Sequence, residues 1–185
     1  MPDFIFVTSN DHKVMTAKMV CDTYGLSFDR KQLDLLEIQA DNGEEIGRHK
    51  AEQAFDICHA PLIVSDDSWY IAGLRGFPGP YMKYVNQWFM PEDFLRLTRD
   101  LTDRNIVLRQ IVVYKDAEHE KVFIAELEGT LLKEARGQAP AFPHFAVTSF
   151  DGGKHSLAES DDRGMPAVAN HHSAYHQLCE WLRSR

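Results

Sequence analysis

In the first third of the chain, short apolar runs alternate with segments in which apolar residues recur at helical spacing. This pattern predicts strands interleaved with helices. The apolar run FIFV is typical of a short buried strand. Val14, Ala17 and Cys21 then recur at helical spacing, after small polar residues suited to a turn and a helix N-cap. The elements predicted here are a strand over Phe4–Val7, a helix from about Asp11 to Tyr24, a strand over Leu33–Ile38, a helix from about Glu44 to near His59 and a strand over Leu62–Val64.

The rest of the chain predicts further helices and one β-hairpin. Pro91 is suited to the first turn of a helix, and the polar segment Asp116–Glu118 separates two strand-like runs. The elements predicted here are a helix starting at Pro91–Asp93, strands over Asn105–Lys115 and Lys121–Leu127, a loop over Gly137–His144 and a closing helix from about His171 to Arg183. Strands alternating with helices, followed by a hairpin, indicate an α/β fold with a mixed sheet flanked by helices.

Composition and charge narrow the class of protein. The 185 residues, 44% hydrophobic and 26% charged, suffice for one sizeable core, which indicates a single domain with room for two lobes. The formal net charge of −8 argues against a nucleic-acid-binding surface, which needs clustered lysines and arginines. A small anionic substrate remains compatible with that charge, because a few local lysines can hold phosphates within an acidic protein.

Cysteine usage and the N-terminal sequence indicate a cytoplasmic protein without a membrane partner. Cys21, Cys58 and Cys179 are scattered and odd in number, which favours a reducing compartment over a disulfide framework. The opening MPDFIFVTSN has no basic region of the kind that begins a signal peptide. No apolar run approaches the roughly 20 residues that a membrane-spanning helix needs.

The segment from Thr8 to Lys13 is a candidate anion site. Small polar residues between a strand and a helix leave backbone N–H groups unpaired, and these groups attract anions. Lys13, in the first turn of the predicted helix, can reach back to the same place. An ordinary N-cap followed by a solvated lysine is the alternative.

Three carboxylates and a second lysine form a further set of candidates. Glu37 lies at the end of the second predicted strand and the pair Asp66–Asp67 at the end of the third, and ligands of open α/β sheets gather at such strand ends. Carboxylates from two strand ends could share Mg²⁺, which takes few protein oxygens and completes its shell with water and phosphate. The alternative is that Asp66 and Asp67 are ordinary turn residues and that Glu37 is a surface acid. For Lys50, the alternative is a solvated position on a helix.

Together these motifs resemble the inosine triphosphate pyrophosphatase family. The likeness rests on Thr8-x-Asn10-x-x-Lys13, Glu37 in LLEIQ, Lys50 in HKAEQA, and SDDS followed by GLRGFPGPYMKY, and it covers roughly the first ninety residues. It implies an elongated α/β protein with a mixed sheet, two lobes, a central cleft and a homodimeric assembly. Residues 1–185 would then form one domain of two lobes.

The resemblance also implies an activity. Family members use Mg²⁺ to hydrolyse nucleoside triphosphates, preferring deaminated purines such as those of ITP, dITP and XTP, to the monophosphate and pyrophosphate. Because two adjacent acids raise each other's pKa unless a cation lies between them, metal and substrate are expected to bind together. By position, the implied catalytic residues are Asp67, Asp66 and Lys13; the implied substrate-binding residues are Thr8, Asn10, Lys13 and Lys50; and the implied Mg²⁺ ligands are Glu37 and Asp67.

The second half departs from the family pattern where the base is recognised. Phe142 fits the stacking ring of the family's Phe-Gly-Tyr/Trp-Asp-Pro segment, but Phe145 stands in place of its aspartate. Arg163 matches the arginine of the later Ser-His-Arg element, whereas the histidine and a nearby lysine are absent. Phe142 and Arg163 are therefore expected to bind substrate in an altered base pocket, because a polar pocket without its hydrogen-bonding partners loses discrimination.

Two other functions remain open at this stage. A Maf-like pyrophosphatase acting on pyrimidine or modified nucleotides would share the fold, although the PGPY loop argues against it. A nucleotide-binding protein without turnover is favoured by the altered base pocket and opposed by Lys13, Glu37 and Asp67. Separately, His172, His176 and Glu180 share one face of the last helix, which indicates a solvated face or, as the alternative, a transition-metal site.

Overall fold

The computed structural model describes residues 2–162 and 172–185, which form a seven-stranded mixed sheet and its flanking helices. The strands are β1 (Phe4–Val7), β2 (Phe28–Lys31), β3 (Leu62–Ile71), β4 (Pro78–Gly79), β5 (Asn105–Lys115), β6 (Glu120–Leu131) and β7 (Thr148–Ser149). The α-helices are α1 (Asp11–Thr23), α2 (Gly43–Cys58), α3 (Met82–Trp88), α4 (Pro91–Leu97), α5 (Leu157–Asp162) and α6 (Ala174–Arg183), and two 3₁₀ helices span Ala72–Leu74 and Pro143–Val147. Within these described residues no helix is long and apolar enough to span a membrane.

The sheet mixes parallel and antiparallel pairs, as the sequence predicts. Its strand order is β2-β1-β3-β5-β6-β7, with β4 paired to β3. Strand β1 is parallel to both β2 and β3, whereas β4 is antiparallel to β3 and β7 is antiparallel to β6. Strands β5 and β6 are neighbours joined by a tight turn, in which the Asp116 N–H donates to the His119 carbonyl at 2.9 Å. The predicted hairpin is confirmed.

The chain divides into two compact units, each made of separate stretches of sequence. The first unit comprises Met1–Asp67, Gln110–Ala125 and His172–Arg185, and the second comprises Ser68–Arg109 and Glu126–His171. A cluster of apolar side chains forms the core of the first unit, with members from β1, α2, β3 and β5: Val7, Ala51, Ala54, Leu62, Val64, Ile111 and Val113.

Helix α6 packs against α1 in the first unit. The buried thiols of Cys21 and Cys179 are in contact, with their Sγ atoms 3.7 Å apart. Arg183 Nε donates to the carbonyl of Tyr24 at 2.7 Å, and its Nη2 donates to the carbonyl of Gly25 at 3.0 Å. The end of the chain is therefore bound to the end of its first helix.

Two predictions about strands are wrong. The second strand is Phe28–Lys31 rather than Leu33–Ile38, and its backbone pairs with β1 in parallel register. Leu33 and Leu35 produced the strand-like pattern because they pack, half-buried, against the core of the first unit from a non-strand segment. Strand β3 also continues past Val64 to Ile71. Its extension begins with the polar residues Ser65–Ser68, so the apolar pattern marks only the first three residues of the strand.

The second unit has an aromatic core. Trp69 packs edge-on against the buried His144, with ring centroids 4.6 Å apart, and stacks on Phe150 at 6.0 Å. His144 Nδ1 lies 2.8 Å from Asn86 Oδ1, and Phe94 of α4 reaches the same imidazole at 6.2 Å. Part of the predicted loop at Gly137–His144 is thus the start of a buried 3₁₀ helix, because its apolar residues pack into this core.

Candidate functional site

The turn between β1 and α1 is built by its own side chains. Asn10 is the N-cap of α1, and its Oδ1 accepts a hydrogen bond from the Lys13 N–H at 3.2 Å. The Asn10 N–H in turn donates to Thr8 Oγ1 at 3.1 Å. These two bonds fix the path of the backbone between strand and helix. As a result, Lys13 lies in the first helical turn.

Lys13 points from this turn to β3. Its Nζ donates to the Ser65 carbonyl at 3.3 Å and lies 3.3 Å from Asp67 Oδ2. The Lys13 and Asp67 side chains are only 17% and 24% exposed, so solvent screens this ion pair less than a surface pair. The first lysine of the predicted phosphate site therefore contacts the predicted catalytic carboxylate.

Lys50, on α2, joins the remaining two carboxylates. Its Nζ lies 3.0 Å from Glu37 Oε2 and 3.0 Å from Asp66 Oδ1. Burial alone would lower the pKa of Lys50, but the charges of Asp66 and Glu37 outweigh it and raise the pKa above the usual lysine value. Lys50 is therefore charged at neutral pH and holds two acids that come from different segments of the chain.

Asp66 and Asp67 are adjacent in β3 and pair with different lysines, Asp66 with Lys50 and Asp67 with Lys13. Burial raises the pKa of Asp66 above its usual value, and the Asp67 charge adds to this effect, although Lys50 and Lys13 act in the opposite direction. The two aspartates thus occupy different electrostatic environments. They lie inside a strand rather than at its end, which corrects the sequence-based placement.

The carboxylate oxygens of this lysine–carboxylate cluster (Lys13, Glu37, Lys50, Asp66 and Asp67) fit a hard cation that takes few protein ligands. Asp67 Oδ1 is buried and makes no hydrogen bond with any residue in the described part of the chain. Within the same residues, no group of three or more acidic, histidine or cysteine side chains is arranged to hold a metal ion. Such a set suits Mg²⁺, which completes its octahedron with water and phosphate oxygens, and does not suit a metal that needs a closed protein cage.

Sequence analysis missed Arg30, which braces the turn between β1 and α1. From β2, its Nε donates to the Thr8 carbonyl at 3.1 Å, its Nη2 donates to the Ser9 carbonyl at 2.7 Å, and its Nη1 pairs with Asp11 at 2.6 Å. The parallel register that sets Arg30 beside Phe6 brings its side chain to this turn. A correct prediction of β2 would have indicated that Arg30 lies beside the turn between β1 and α1.

Tyr175 is a second residue that the sequence did not reveal. It is almost fully buried in α6, and burial together with the Asp67 charge raises the pKa of its hydroxyl far above the usual value. Its ring packs edge-on against Phe6 at 6.0 Å. A lone tyrosine in the polar run HHSAYHQ carries no recognisable signal.

The residues predicted to bind the base lie apart in the sequence from this cluster. Phe142 belongs to the second unit and stacks on Phe145, with ring centroids 5.1 Å apart. Phe145, which stands in place of the family's aspartate, is a buried core residue at 6% exposure. Arg163 lies outside the described residues.

His172 lies just before the N-cap Ser173 of α6 and His176 lies in the first turn of that helix, so the last helix starts later than predicted; both histidines make ordinary surface contacts. His172 Nε2 lies 3.1 Å from Glu180 Oε1, and its ring stacks on that of His176 at 5.5 Å. His176 also completes the capping box of α6 with Ser173. These contacts agree with a solvated helix face, and no three-ligand metal group occurs at these or other described residues.

Comparisons with known proteins relate the whole chain to one family. A model of the Ham1 family matches residues 4–181. The dITP/XTP pyrophosphatase of Hyperthermus butylicus is 26% identical over 179 residues, covering 97% of this chain and 94% of that protein. The dITP/XTP pyrophosphatase of Methanopyrus kandleri is 29% identical over 181 residues, covering 97% and 96%. That of Ignicoccus hospitalis is 32% identical over 134 residues, covering 71% of each chain.

Solved structures share the fold. A HAM1 protein from Coxiella burnetii superposes with a TM-score of 0.80 over 100% of both chains, at 18% sequence identity. The Ham1 protein of Staphylococcus aureus superposes with a TM-score of 0.76, also at 18% identity, over 98% of this chain and 99% of that one. The predicted α/β fold with a mixed sheet is confirmed.

Proposed function

Because this chain belongs to the Ham1 family, we propose that it is a nucleoside triphosphate pyrophosphatase that hydrolyses deaminated purine nucleoside triphosphates to the monophosphate and pyrophosphate. The lysine–carboxylate cluster carries the proposal: Lys13 pairs with Asp67, and Lys50 pairs with Glu37 and Asp66, at 3.0 to 3.3 Å, and the two groups meet at the adjacent residues Asp66 and Asp67. The relatives named dITP/XTP pyrophosphatase support dITP and XTP as its substrates, and we include ITP as the ribonucleotide that carries the same base as dITP.

Phosphate binding is assigned to the β1–α1 turn and the two lysines. Thr8 and Asn10 shape the turn, and Lys13 and Lys50 supply positive charge for the phosphate oxygens. In this structure the same ammonium groups neutralise the three carboxylates. A triphosphate therefore competes with Glu37, Asp66 and Asp67 for the lysines on binding.

Hydrolysis needs an oriented water and a group that manages its proton. The buried Oδ1 of Asp67, which has no hydrogen-bonding partner in the described residues, is suited to accept a hydrogen bond from that water. The water oxygen forms a new bond to phosphorus as the anhydride bond between the α- and β-phosphates breaks. The water proton passes to a carboxylate, and pyrophosphate leaves. Asp66 completes the catalytic set beside Asp67.

Glu37 and Asp67 are the proposed ligands of Mg²⁺. Asp67 would hold the ion through a water molecule, which leaves its Oδ1 for the hydrogen bond from the attacking water. When bound, Mg²⁺ supplies positive charge that neutralises the phosphates during the reaction. Glu37 and Asp67 would hold it, while Lys13 and Lys50 keep their charges for the phosphate chain.

Base recognition is assigned to Phe142, by stacking, and to Arg163, by polar contact. Since Phe145 is a core residue without hydrogen-bonding groups, base selection must rest on residues other than the family's aspartate. We therefore expect weaker discrimination between deaminated and ordinary purines than a pocket with the complete set of polar groups would give.

The proposal extends to the state of the protein in the cell. Residues 1–185 act as a single domain of two lobes, the chain forms a homodimer, and it is cytoplasmic. Trp88 and Met90, 74% and 60% exposed, support an interface between two copies, and the three free cysteines support a reducing compartment. Molecular mass in solution tests the dimer, which a monomeric mass at micromolar concentration would contradict.

The test of the activity is pyrophosphate release from ITP, dITP, XTP and the common nucleoside triphosphates, with Mg²⁺ and with EDTA. The expected result is Mg²⁺-dependent turnover, fastest with the deaminated purines. Turnover of another nucleotide class would contradict the proposed substrate class but agree with the proposed hydrolysis to monophosphate and pyrophosphate. Nucleotide binding without turnover in Mg²⁺ would overturn the enzymatic proposal.

A further inference from the structure

The second unit carries a concave surface lined mostly by basic side chains, although the chain as a whole is acidic. A cavity of about 480 Å³ lies there, within the usual size range of ligand pockets. Four of its six lining side chains are basic and one is acidic, in a protein of net charge −8. This basic pocket is lined by Glu92, Leu95, Arg96, Arg99, Arg104 and Lys133.

Arg104 gives the basic pocket a fixed positive charge. Its Nε donates to the Leu131 carbonyl at 2.9 Å, its Nη1 to the Thr98 carbonyl at 2.6 Å and its Nη2 to the Leu132 carbonyl at 2.7 Å. Three of its five N–H groups are thereby held by neutral carbonyl oxygens. The guanidinium is immobilised and half-buried, but these bonds leave its charge uncompensated.

The other cations of the basic pocket are also largely unpaired. Arg99 and Lys133 are exposed, and neither forms an ion pair within residues 2–162 and 172–185. Arg96 contacts Asp93 at 3.4 Å, but its side chain is 70% exposed, so the pair is weak. Four basic side chains thus face two acidic ones, Glu92 and the neighbouring Asp93.

We propose that the basic pocket binds a small phosphate-bearing anion, at a site built from different residues than the lysine–carboxylate cluster. Guanidinium groups match phosphate oxygens in pairs, and a pre-positioned arginine loses little side-chain freedom on binding. Arg104 supplies the fixed charge, and Arg99 and Lys133 supply adaptable ones. The volume admits inorganic pyrophosphate or a nucleoside monophosphate, and Leu95 offers an apolar contact for the latter.

This site requires no turnover, so its test is independent of the proposed hydrolysis. Inorganic pyrophosphate, inosine monophosphate and inosine are each titrated, without Mg²⁺ and at low ionic strength, into the full chain while backbone amide signals are followed by NMR. The phosphate-bearing ligands are expected to shift the amides of residues 95–99 and 131–133, whereas inosine is not. Tighter binding of inosine monophosphate than of pyrophosphate would show that the site recognises nucleotides. Tighter binding of pyrophosphate would show that it recognises the free anion.

Charge reversals then identify the side chains responsible. Arg99→Glu and Lys133→Glu are each expected to weaken binding at this site by about tenfold or more, since each removes a charge-assisted contact and adds repulsion. Lys154→Glu, which makes the same charge change at an exposed lysine outside the pocket, is the matched control and is expected to change affinity less than twofold. Because these side chains are exposed, the variants should keep the unfolding midpoint of the parent.

The proposal would be overturned by either of two results. One is that amide shifts occur only around Lys13 and Lys50. The other is that Arg99→Glu and Lys133→Glu bind pyrophosphate and the monophosphate as the parent does. If the protein has no activity but its amide signals near Leu95 and Lys133 still shift, the proposed hydrolysis is wrong and the proposed anion site is supported.

Discussion

Lys13 Nζ bonds two parts of β3 at once, lying 3.3 Å from Asp67 Oδ2 and 3.3 Å from the Ser65 carbonyl. The first turn of α1 is therefore joined to the strand that carries both aspartates. Only one of the Asp67 carboxylate oxygens takes part in this pair, while the other is buried without a partner in the described residues. In the proposed mechanism, Oδ2 positions Asp67 against Lys13 and Oδ1 accepts the hydrogen bond from the attacking water.

Asp67→Asn should abolish most activity while leaving the fold intact. An amide keeps the shape of the side chain but cannot take the water proton, and a positioned base typically contributes about a hundredfold or more in rate. Pyrophosphate release under saturating ITP and Mg²⁺ should fall by that factor. Asp34→Asn, at an exposed acid of the same unit, should retain parental activity. Undiminished turnover in Asp67→Asn would remove this residue from the mechanism.

Lys50→Met should destabilise the protein because it leaves Glu37 and Asp66 without their shared cation. Losing one partner of a largely buried ion pair costs about 3 kcal/mol when burial is complete, and about 2 kcal/mol is expected here because the side chains retain some exposure. Urea unfolding measures the loss in free energy of unfolding.

Two further variants test the origin of that loss. In a Glu37→Gln, Asp66→Asn background the same lysine substitution should cost much less, since no unpaired charges remain. Lys18→Met, which breaks an exposed pair with Asp22, should cost less than about 0.5 kcal/mol. Equal losses in the two backgrounds would show that Lys50 acts through packing rather than charge.

Asp151 should contribute stability that disappears in acid. Burial would raise its pKa, but hydrogen bonds from the His155 N–H and the Ser149 hydroxyl, together with the His155 side chain, lower the pKa to about 2. Because the folded pKa lies below the unfolded value of 3.8, the stabilisation is complete above that value and is lost as the pH falls towards 2.

The measurement is the difference in free energy of unfolding between the parent and Asp151→Asn across that range. It should be about 1 kcal/mol at pH 6, after allowance for solvent screening of this partly exposed group, and approach zero near pH 2. Asp100→Asn, which removes one carboxylate at an exposed position of the same unit, is the matched control for the change in net charge. A constant difference from pH 6 to pH 2 would contradict the assigned shift.

Gly129→Ala should destabilise the second unit because the added methyl group would overlap neighbouring atoms. An added Cβ at this position would lie 2.6 Å from the Phe150 ring and 2.7 Å from the Ser149 carbonyl oxygen, both shorter than van der Waals contact. Forcing such contacts apart typically costs about 1–3 kcal/mol. Thermal unfolding should show a clear fall in the midpoint.

Gly152→Ala offers a contrast in the same unit. No atom lies within 4 Å of its added Cβ, so only the positive φ of 74° is penalised. A smaller loss of about 1 kcal/mol is expected. If Gly152→Ala costs more than Gly129→Ala, overlap with Phe150 is not the cause.

The lysine–carboxylate cluster was accessible to sequence analysis because its members sit in short motifs within the first 67 residues. Asn10 and Lys13 are tied by a local N-cap, and the adjacent pair Asp66–Asp67 follows directly from an apolar run. Such relationships depend on nearest neighbours in sequence. The distances from Lys50 to Glu37 and Asp66 depend on how α2 packs, and only the structure gives them.

What the sequence could not show depends on tertiary contacts. Strand β2 is mostly exposed and polar, so its pairing with β1 leaves no hydrophobic signature, and Arg30 was missed with it. Leu33 and Leu35 imitate a strand because they pack against a core that long-range contacts create. His144 similarly looked like a loop residue, and its burial depends on the aromatic side chains around it and on its contact with Asn86, all distant in sequence except Phe142 and Phe145.

The packing of α6 on α1 has a consequence for how the protein is made. All five members of the lysine–carboxylate cluster are synthesised well before Cys179 and Arg183, which contact α1 and the residue that follows it. Until α6 is made, the nascent first unit therefore exposes the apolar surface that α6 covers, and exposed apolar surface makes chains prone to aggregate. A message truncated before α6 would yield a polypeptide that contains the whole proposed catalytic set but lacks the helix that packs against α1.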